Sequence, residues 1–173
     1  RIVTPGKVTA LASDARGIVF AGGETDFGFI QPDPAGRLAW HSLKDMINDT
    51  SAAVNVGTVT SIATDTNAVC FTDGKRLYIF AAGTDSVTVT DMEKESGIRS
   101  ATVLASFNNR VFIADNSLGL FVIVNGAIER IAGGEMAAGN RFVGMLPYDR
   151  DNLIIAAERR GLMLFNTRTG ALT

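Results

Sequence analysis

Apolar residues in this chain come in short runs separated by small polar tips, and the runs return in the same order. Val111–Ile123 reads VFIADNSLGLFVI: an apolar run, a polar tip, then a second apolar run. Forty-two residues earlier, Val69–Leu77 begins the same way, and forty-two later Leu153–Phe165 repeats the whole pattern. Runs rich in Val, Ile and Phe joined by Asp, Asn, Gly or Arg are the signature of β-hairpins. The chain is therefore a tandem array, and a period of about 40–45 residues with several strands per copy is that of propeller blades.

Four segments open the copies: Val8–Asp14, Val59–Asp65, Ala101–Phe107 and Val143–Asp149, at steps of 51, 42 and 42. Their small residues, among them Ala10, Ala12, Ala63 and Ala105, suit a strand where neighbouring sheets crowd together. Second strands are expected at Ile18–Ala21, Val69–Thr72, Val111–Ala114 and Leu153–Ala156, and third strands at Phe27–Ile30, Leu77–Phe80, Leu120–Ile123 and Leu162–Phe165. The β-branched and aromatic residues in them fit buried sheet positions. Fourth strands, Arg37–Leu43, Ser86–Met92 and Ala127–Ala132, are less regular and read as half-exposed outer strands. The last copy stops where its fourth strand would begin.

The expected fold is all-β: one β-propeller domain over 1–173 with four four-stranded antiparallel blades, at about 8–43, 59–92, 101–132 and 143–173. Topology puts the hairpin tips between strands two and three on one face with the connections between blades. The longer first copy places extra residues in Lys44–Gly57, where Leu43, Met46 and Ile47 sit at helical spacing and predict a short turn of helix.

Composition changes this picture little. With 16 basic and 18 acidic residues interspersed, the formal net charge is −2, which gives no footprint for nucleic acid. No apolar run reaches the roughly 18–20 residues of a membrane span, so no membrane contact is expected within the segment. The first residues lack the apolar region of a signal peptide, and the chain reads as a piece of a longer protein. The lone Cys70 lies in an apolar run and is expected to be inert core, and one cysteine fits either redox compartment.

No catalytic constellation emerges. His41 is the single histidine, so neither a two-histidine metal site nor a Cys/His pair can be built, and no cofactor or metal is expected. Gly22-Gly23 and Gly133-Gly134 lack the lysine of a phosphate loop and read as turns. Asn48-Asp49-Thr50 matches a glycosylation acceptor, a pattern too common by chance to carry weight. The candidate ligand-binding residues are those on the loop face: Glu24, Asp26, Arg76, Asn116, Arg141, Arg159 and Arg160. Ligands of such folds are held by loops, where side chains from several repeats gather.

Two stretches carry a family resemblance. DFGFIQPDPAGRL (Asp26–Leu38) resembles the pattern FGYL-PD--G-L, and LGLFVIVNGAIERIAGGEMAAGNRFVGMLP (Leu118–Pro147) resembles a later stretch with a Gly-Leu-aromatic strand, an Asn-Gly turn and an I-GG connection. Both are similar to the two-component regulator propeller of bacterial signalling proteins. The family pattern has a tryptophan on the second strand; the matching positions here are Phe20, Phe71, Ile113 and Ile155. Its Gly-Leu pair is kept at Gly119-Leu120 and Gly161-Leu162 and replaced by Arg76-Leu77.

The resemblance implies an extracytoplasmic sensor, periplasmic or on the outer face of a membrane-anchored protein. There a propeller of about seven blades precedes an Ig-like module, a membrane span and an output domain, often a histidine kinase. The expected partners are a small molecule, a saccharide among the candidates, and the remaining blades of the parent chain or a second copy. The alternative reading is a protein-interaction scaffold working through the outer strands near Trp40 and His41. A hydrolase or lyase is disfavoured by the lack of clustered His, Cys or spaced carboxylates.

Overall fold

A computed structural model of the chain describes residues 2–48, 55–81, 83–84 and 86–173. Asp49 and Thr50 of the glycosylation pattern, and most of the insertion that follows, lie outside the described residues. Two compact units divide the chain, Arg1–Thr90 and Asp91–Thr173.

The first unit holds two antiparallel sheets, each a meander in chain order. Sheet 1 is β1 (Val8–Ser13), β2 (Val19–Gly23), β3 (Phe27–Pro32) and β4 (Leu38–Ser42). Sheet 2 is β5 (Ser61–Thr64), β6 (Ala68–Thr72), β7 (Arg76–Ala81) and β8 (Val87–Asp91). A single 3-10 turn at Lys44–Met46 follows β4, as the helical spacing of Leu43 and Met46 predicts. Beyond it, Ile47 makes a parallel bridge to Val87 on the outer strand β8.

Between the sheets lies a core of Phe20, Phe27, Leu43, Val59, Ile62, Phe71 and Tyr78. Phe27 is central, with ring centroids 4.7 Å from Phe71 and 4.9 Å from Tyr78. The small residues of β1 let β5 come close. Thr9 Oγ1 donates to the Val59 carbonyl at 2.7 Å, and Thr64 Oγ1 donates to the Ser13 carbonyl at 2.9 Å.

The second unit begins with a five-residue helix, α1 (Met92–Ser96), capped by the Asp91 carboxylate and ended by Gly97 in the left-handed region. Sheet 3 is β9 (Ala101–Phe107), β10 (Arg110–Asp115), β11 (Gly119–Val124) and β12 (Ala127–Arg130). Sheet 4 has three strands, β13 (Phe142–Pro147), β14 (Asn152–Ala157) and β15 (Gly161–Asn166). The last residues start its fourth strand: Leu172 bridges Phe165, and Leu164 and Thr173 exchange both backbone hydrogen bonds. The core between sheets 3 and 4 joins Phe112, Ala114, Leu120 and Val122 to Leu153, Ile155, Met163 and Phe165.

Strand placement agrees with the repeat, and the VFIADNSLGLFVI hairpin pairs Val111 with Ile123 as its pattern requires. One register differs. Phe71 and Ile155 point from their sheets toward the preceding sheet of the unit, whereas Phe20 points from sheet 1 toward the following one. The cause is an extra residue in the first turn, where the Asp14 N–H reaches the Ile18 carbonyl while the Asp65 N–H reaches that of Ala68, three residues on. Since strand side chains alternate, a slip of one residue reverses the face. The residue equivalent to Phe71 is therefore Ala21, fifty residues earlier, and not Phe20.

Candidate functional site

The tip between the second and third strands is built the same way in sheets 2 and 3. At the β6–β7 turn, Asp73 Oδ1 accepts the N–H groups of Lys75 (3.0 Å) and Arg76 (2.8 Å), while Oδ2 accepts the N–H of Gly57 (3.2 Å). At the β10–β11 turn, forty-two residues on, Asp115 Oδ1 accepts the N–H groups of Ser117 (2.9 Å) and Leu118 (2.8 Å), and Oδ2 accepts that of Ser100 (3.0 Å). One oxygen closes the turn, and the other ties it to the segment entering the first strand of the same sheet. Asp115 is buried, and its bonds to the part-buried amides of Ser100, Ser117 and Leu118 are charge-assisted. Tyr78 donates its hydroxyl to Asp73 Oδ2 at 2.8 Å, and burial first, then the Asp73 carboxylate, raises its pKa.

In sheet 4 the aspartate is replaced by Ala157, and the tie takes another form. The Glu158 N–H donates to the Arg141 carbonyl at 2.9 Å, and Arg141 Nη1 pairs with Glu158 Oε1 at 3.0 Å. Asn116 joins the same line: its Oδ1 accepts the Phe142 N–H at 3.0 Å and the Thr102 hydroxyl at 3.2 Å. The second unit therefore brings Asn116, Arg141, Arg159 and Arg160 together along the tips of its two sheets. Arg159 and Arg160 stand exposed on the β14–β15 hairpin and, among the described residues, make no ion pair.

In the first unit the candidates divide. Glu24 is exposed. Asp26 is buried and already engaged: its carboxylate accepts the Phe27 N–H (2.8 Å), Trp40 Nε1–H (3.1 Å) and the Ser42 hydroxyl (2.7 Å). It locks the Trp40 indole in place. Arg76 donates through Nη1 to the Asn55 carbonyl at 2.7 Å and lies 4.0 Å from Asp73 Oδ2.

Sequence reading missed Asp73 and Asp115, although both follow a run of second-strand residues at the forty-two-residue step. Aligning the tips instead of the strands would have found them.

Elsewhere, an open groove of about 560 Å³ runs beside Trp40, lined by Val3, Pro5, Leu38 and the Asp33–Arg37 ion pair. A cavity of about 30 Å³ sits between the β1–β2 and β5–β6 turns, at the strand ends opposite the tips, with room for about one water. The Asp14 and Asp65 carboxylates that line it are occupied by backbone N–H groups. Among the described residues no group of three His, Cys, Asp or Glu could hold a metal ion. His41 stacks on Phe29 at 5.1 Å. Cys70 is buried and its thiol pKa is pushed up to about 12, chiefly by that burial, so the reactive thiolate is suppressed.

No family model matches the chain, and no curated protein matches it in sequence. Solved structures do match in fold. The extracellular domain of a hybrid two-component system of B. thetaiotaomicron superposes with a TM-score of 0.70 at 11% identity, over 99% of this chain and 25% of that one. The extracellular domain of a one-component system of the same species gives 0.66 at 14% identity, over 99% and 23%. Virginiamycin B lyase of Staphylococcus aureus gives 0.69 at 16% identity, over 98% and 56%. The chain thus spans about a quarter of the two signalling domains and about half of the lyase. At these identities the likeness is one of fold: four antiparallel sheets of the β-propeller type, consistent with part of a larger propeller and with the resemblance to the two-component regulator propeller. Among the described residues no helix is long and apolar enough to cross a membrane.

Proposed function

We propose that the chain is the ligand-binding part of a non-catalytic sensor, held on the periplasmic or extracellular side of a membrane-anchored bacterial signalling protein such as a histidine kinase. The fold it shares with extracellular domains of two signalling systems supports this reading. The observation that carries the site is the pair Arg159–Arg160: two exposed guanidinium groups on one hairpin, next to the Arg141–Glu158 pair and Asn116. Guanidinium forks and amides suit a small ligand rich in oxygen, and a saccharide is the class to probe first. In the parent protein the partners are this ligand and either further blades or a second copy. Bound ligand would act on the output domain by favouring one arrangement of the sensor.

The test is a thermal-shift screen of mono- and oligosaccharides, followed by titration calorimetry of any hit. Arg159→Ala with Arg160→Ala is expected to weaken binding about tenfold or more. Unchanged affinity in the double variant would place the site elsewhere.

A protein-interaction scaffold has its own supporting observation, the open groove beside the immobilised Trp40. In that case Trp40→Ala, and not the arginine changes, abolishes partner binding.

A further inference from the structure

One face of sheet 1 and one face of sheet 4 carry exposed apolar side chains at strand positions whose repeats elsewhere in the chain form the core. On sheet 4 the register aligns Leu146, Ile154 and Leu164 in one row and Gly144, Ala156 and Leu162 in the next. Leu146 is 66% exposed and Leu162 71%. Forty-two residues before Ile154, Ala156, Leu162 and Leu164 stand Phe112, Ala114, Leu120 and Val122, the side of sheet 3 that packs on sheet 4.

On sheet 1 the face turned away from sheet 2 carries Leu11, Ser13, Val19, Ala21, Ile30 and Trp40. Leu11 is 66% exposed and Val19 37%. Fifty residues after Val19, Ala21 and Ile30 stand Val69, Phe71 and Phe80, the side of sheet 2 that packs on sheet 1. No strand residue of sheet 4 is charged, and on sheet 1 the Asp26 carboxylate beside Trp40 is buried and taken up by Trp40, Ser42 and the Phe27 N–H. One face has the strand positions of a sheet's forward packing side, the other those of a backward side. Their shapes are therefore of the kind that dock within this chain.

We propose that the bare face of sheet 4 in one copy docks on the bare face of sheet 1 in a second copy, head to tail. The occupant is a sheet of the same chain because the repeat supplies both halves of the contact at matching strand positions. Such a contact is heterologous: residues of one kind meet residues of another, not their own copies. A three-stranded face of about 20 Å by 14 Å covers roughly 300 Å². That is modest beside the roughly 800 Å² per partner of a stable interface, so durable association engages both faces of each copy. This inference does not depend on the sensor reading and can fail without it.

The experiment is light scattering and sedimentation velocity on the 173-residue chain, 18.3 kDa as one copy. The expected mass is twice that or a higher multiple. Leu146→Glu with Leu162→Glu, and separately Leu11→Glu with Val19→Glu, should each reduce it to one copy while circular dichroism and Tm stay close to wild type. All four sites are exposed, so folding should survive; Gln in place of Glu serves as a gentler second set. A single-copy mass up to about 1 mM, or association that survives both sets of changes, would each overturn the proposal. The single-copy result would assign the faces to another segment or protein.

Discussion

Asp115 offers a sharp test of how the tips are held. Its two oxygens have separate duties: Oδ1 takes the turn amides of Ser117 and Leu118, and Oδ2 takes the amide of Ser100 at the entry to β9. Asp115→Ala removes all three bonds at a residue only 1% exposed. Hydrogen bonds to a charged group are worth about 1.5–3 kcal/mol each, and water can replace those at the exposed turn. The net loss is then about 3 kcal/mol, or a fall in Tm of about 6–12 °C for a chain of this size.

Asp115→Asn divides the effect. An amide oxygen can still serve Ser117 and Leu118, but the amide nitrogen faces the Ser100 N–H donor to donor. About half the loss is expected, confined to the connection. Amide hydrogen exchange reads this residue by residue. In the Ala variant the amides of Ser100, Ser117 and Leu118 all exchange faster, and in the Asn variant only Ser100 does. Wild-type protection of Ser100 in the Asn variant, or a Tm shift below about 1 °C in the Ala variant, would refute this division of labour.

Glycine at the tips has two different causes, which substitution separates. A Cβ at Gly119 (φ +91) would meet the Gly134 carbonyl oxygen at 2.1 Å, while one at Gly161 (φ +73) would meet nothing within 4 Å. Gly161→Ala should therefore cost only the roughly 1–2 kcal/mol of left-handed backbone, and Gly119→Ala should exceed about 4 kcal/mol by denaturant unfolding; equal losses would contradict this. Turn aspartates set the acid limit. At Asp14, burial raises the pKa but the Arg16 guanidinium and the Ile18 and Arg16 N–H groups outweigh it and lower it below 3.8. The Arg37 N–H lowers that of Asp33, and the Asn152 side chain that of Asp149. Groups whose folded pKa is depressed contribute stability that is complete above the unfolded value and lost as pH falls through the folded one. Carbon-detected NMR titration should therefore place all three midpoints below 3.8, and a midpoint at or above it would remove that turn from the account.

Most of the fold was legible because the repeat states it four times over. The period, the hairpin at Val111–Ile123 and the half-exposed outer strands all follow from where Val, Ile and Phe recur, since burial of one face demands that recurrence. What was not legible depends on single residues. The extra residue in the Asp14–Ile18 turn reversed Phe20, because pattern matching aligned Phe20 with Phe71 by type and not by hydrogen bonding. Helix α1 was hidden in a stretch read as the end of an outer strand and a loop, as Asp91 and Gly97 cap too short a segment to show periodicity.

The candidate site was half visible for a related reason. Charge at a tip marks Arg159 and Arg160, which are in fact exposed, and also Asp26, whose carboxylate is spent on Trp40, Ser42 and its own turn. A sequence gives the charge of a side chain but not how many donors already surround it.

The most direct test of the sensor reading is to map a ligand found in the screen by amide chemical-shift perturbation on the labelled chain. The account predicts changes concentrated at the second unit's tips, around Asn116, Arg141, Arg159 and Arg160, with the β4 strand undisturbed. Changes centred on Leu38–Trp40 and the neighbouring groove, with the tips silent, would contradict it and make the outer strand the working surface.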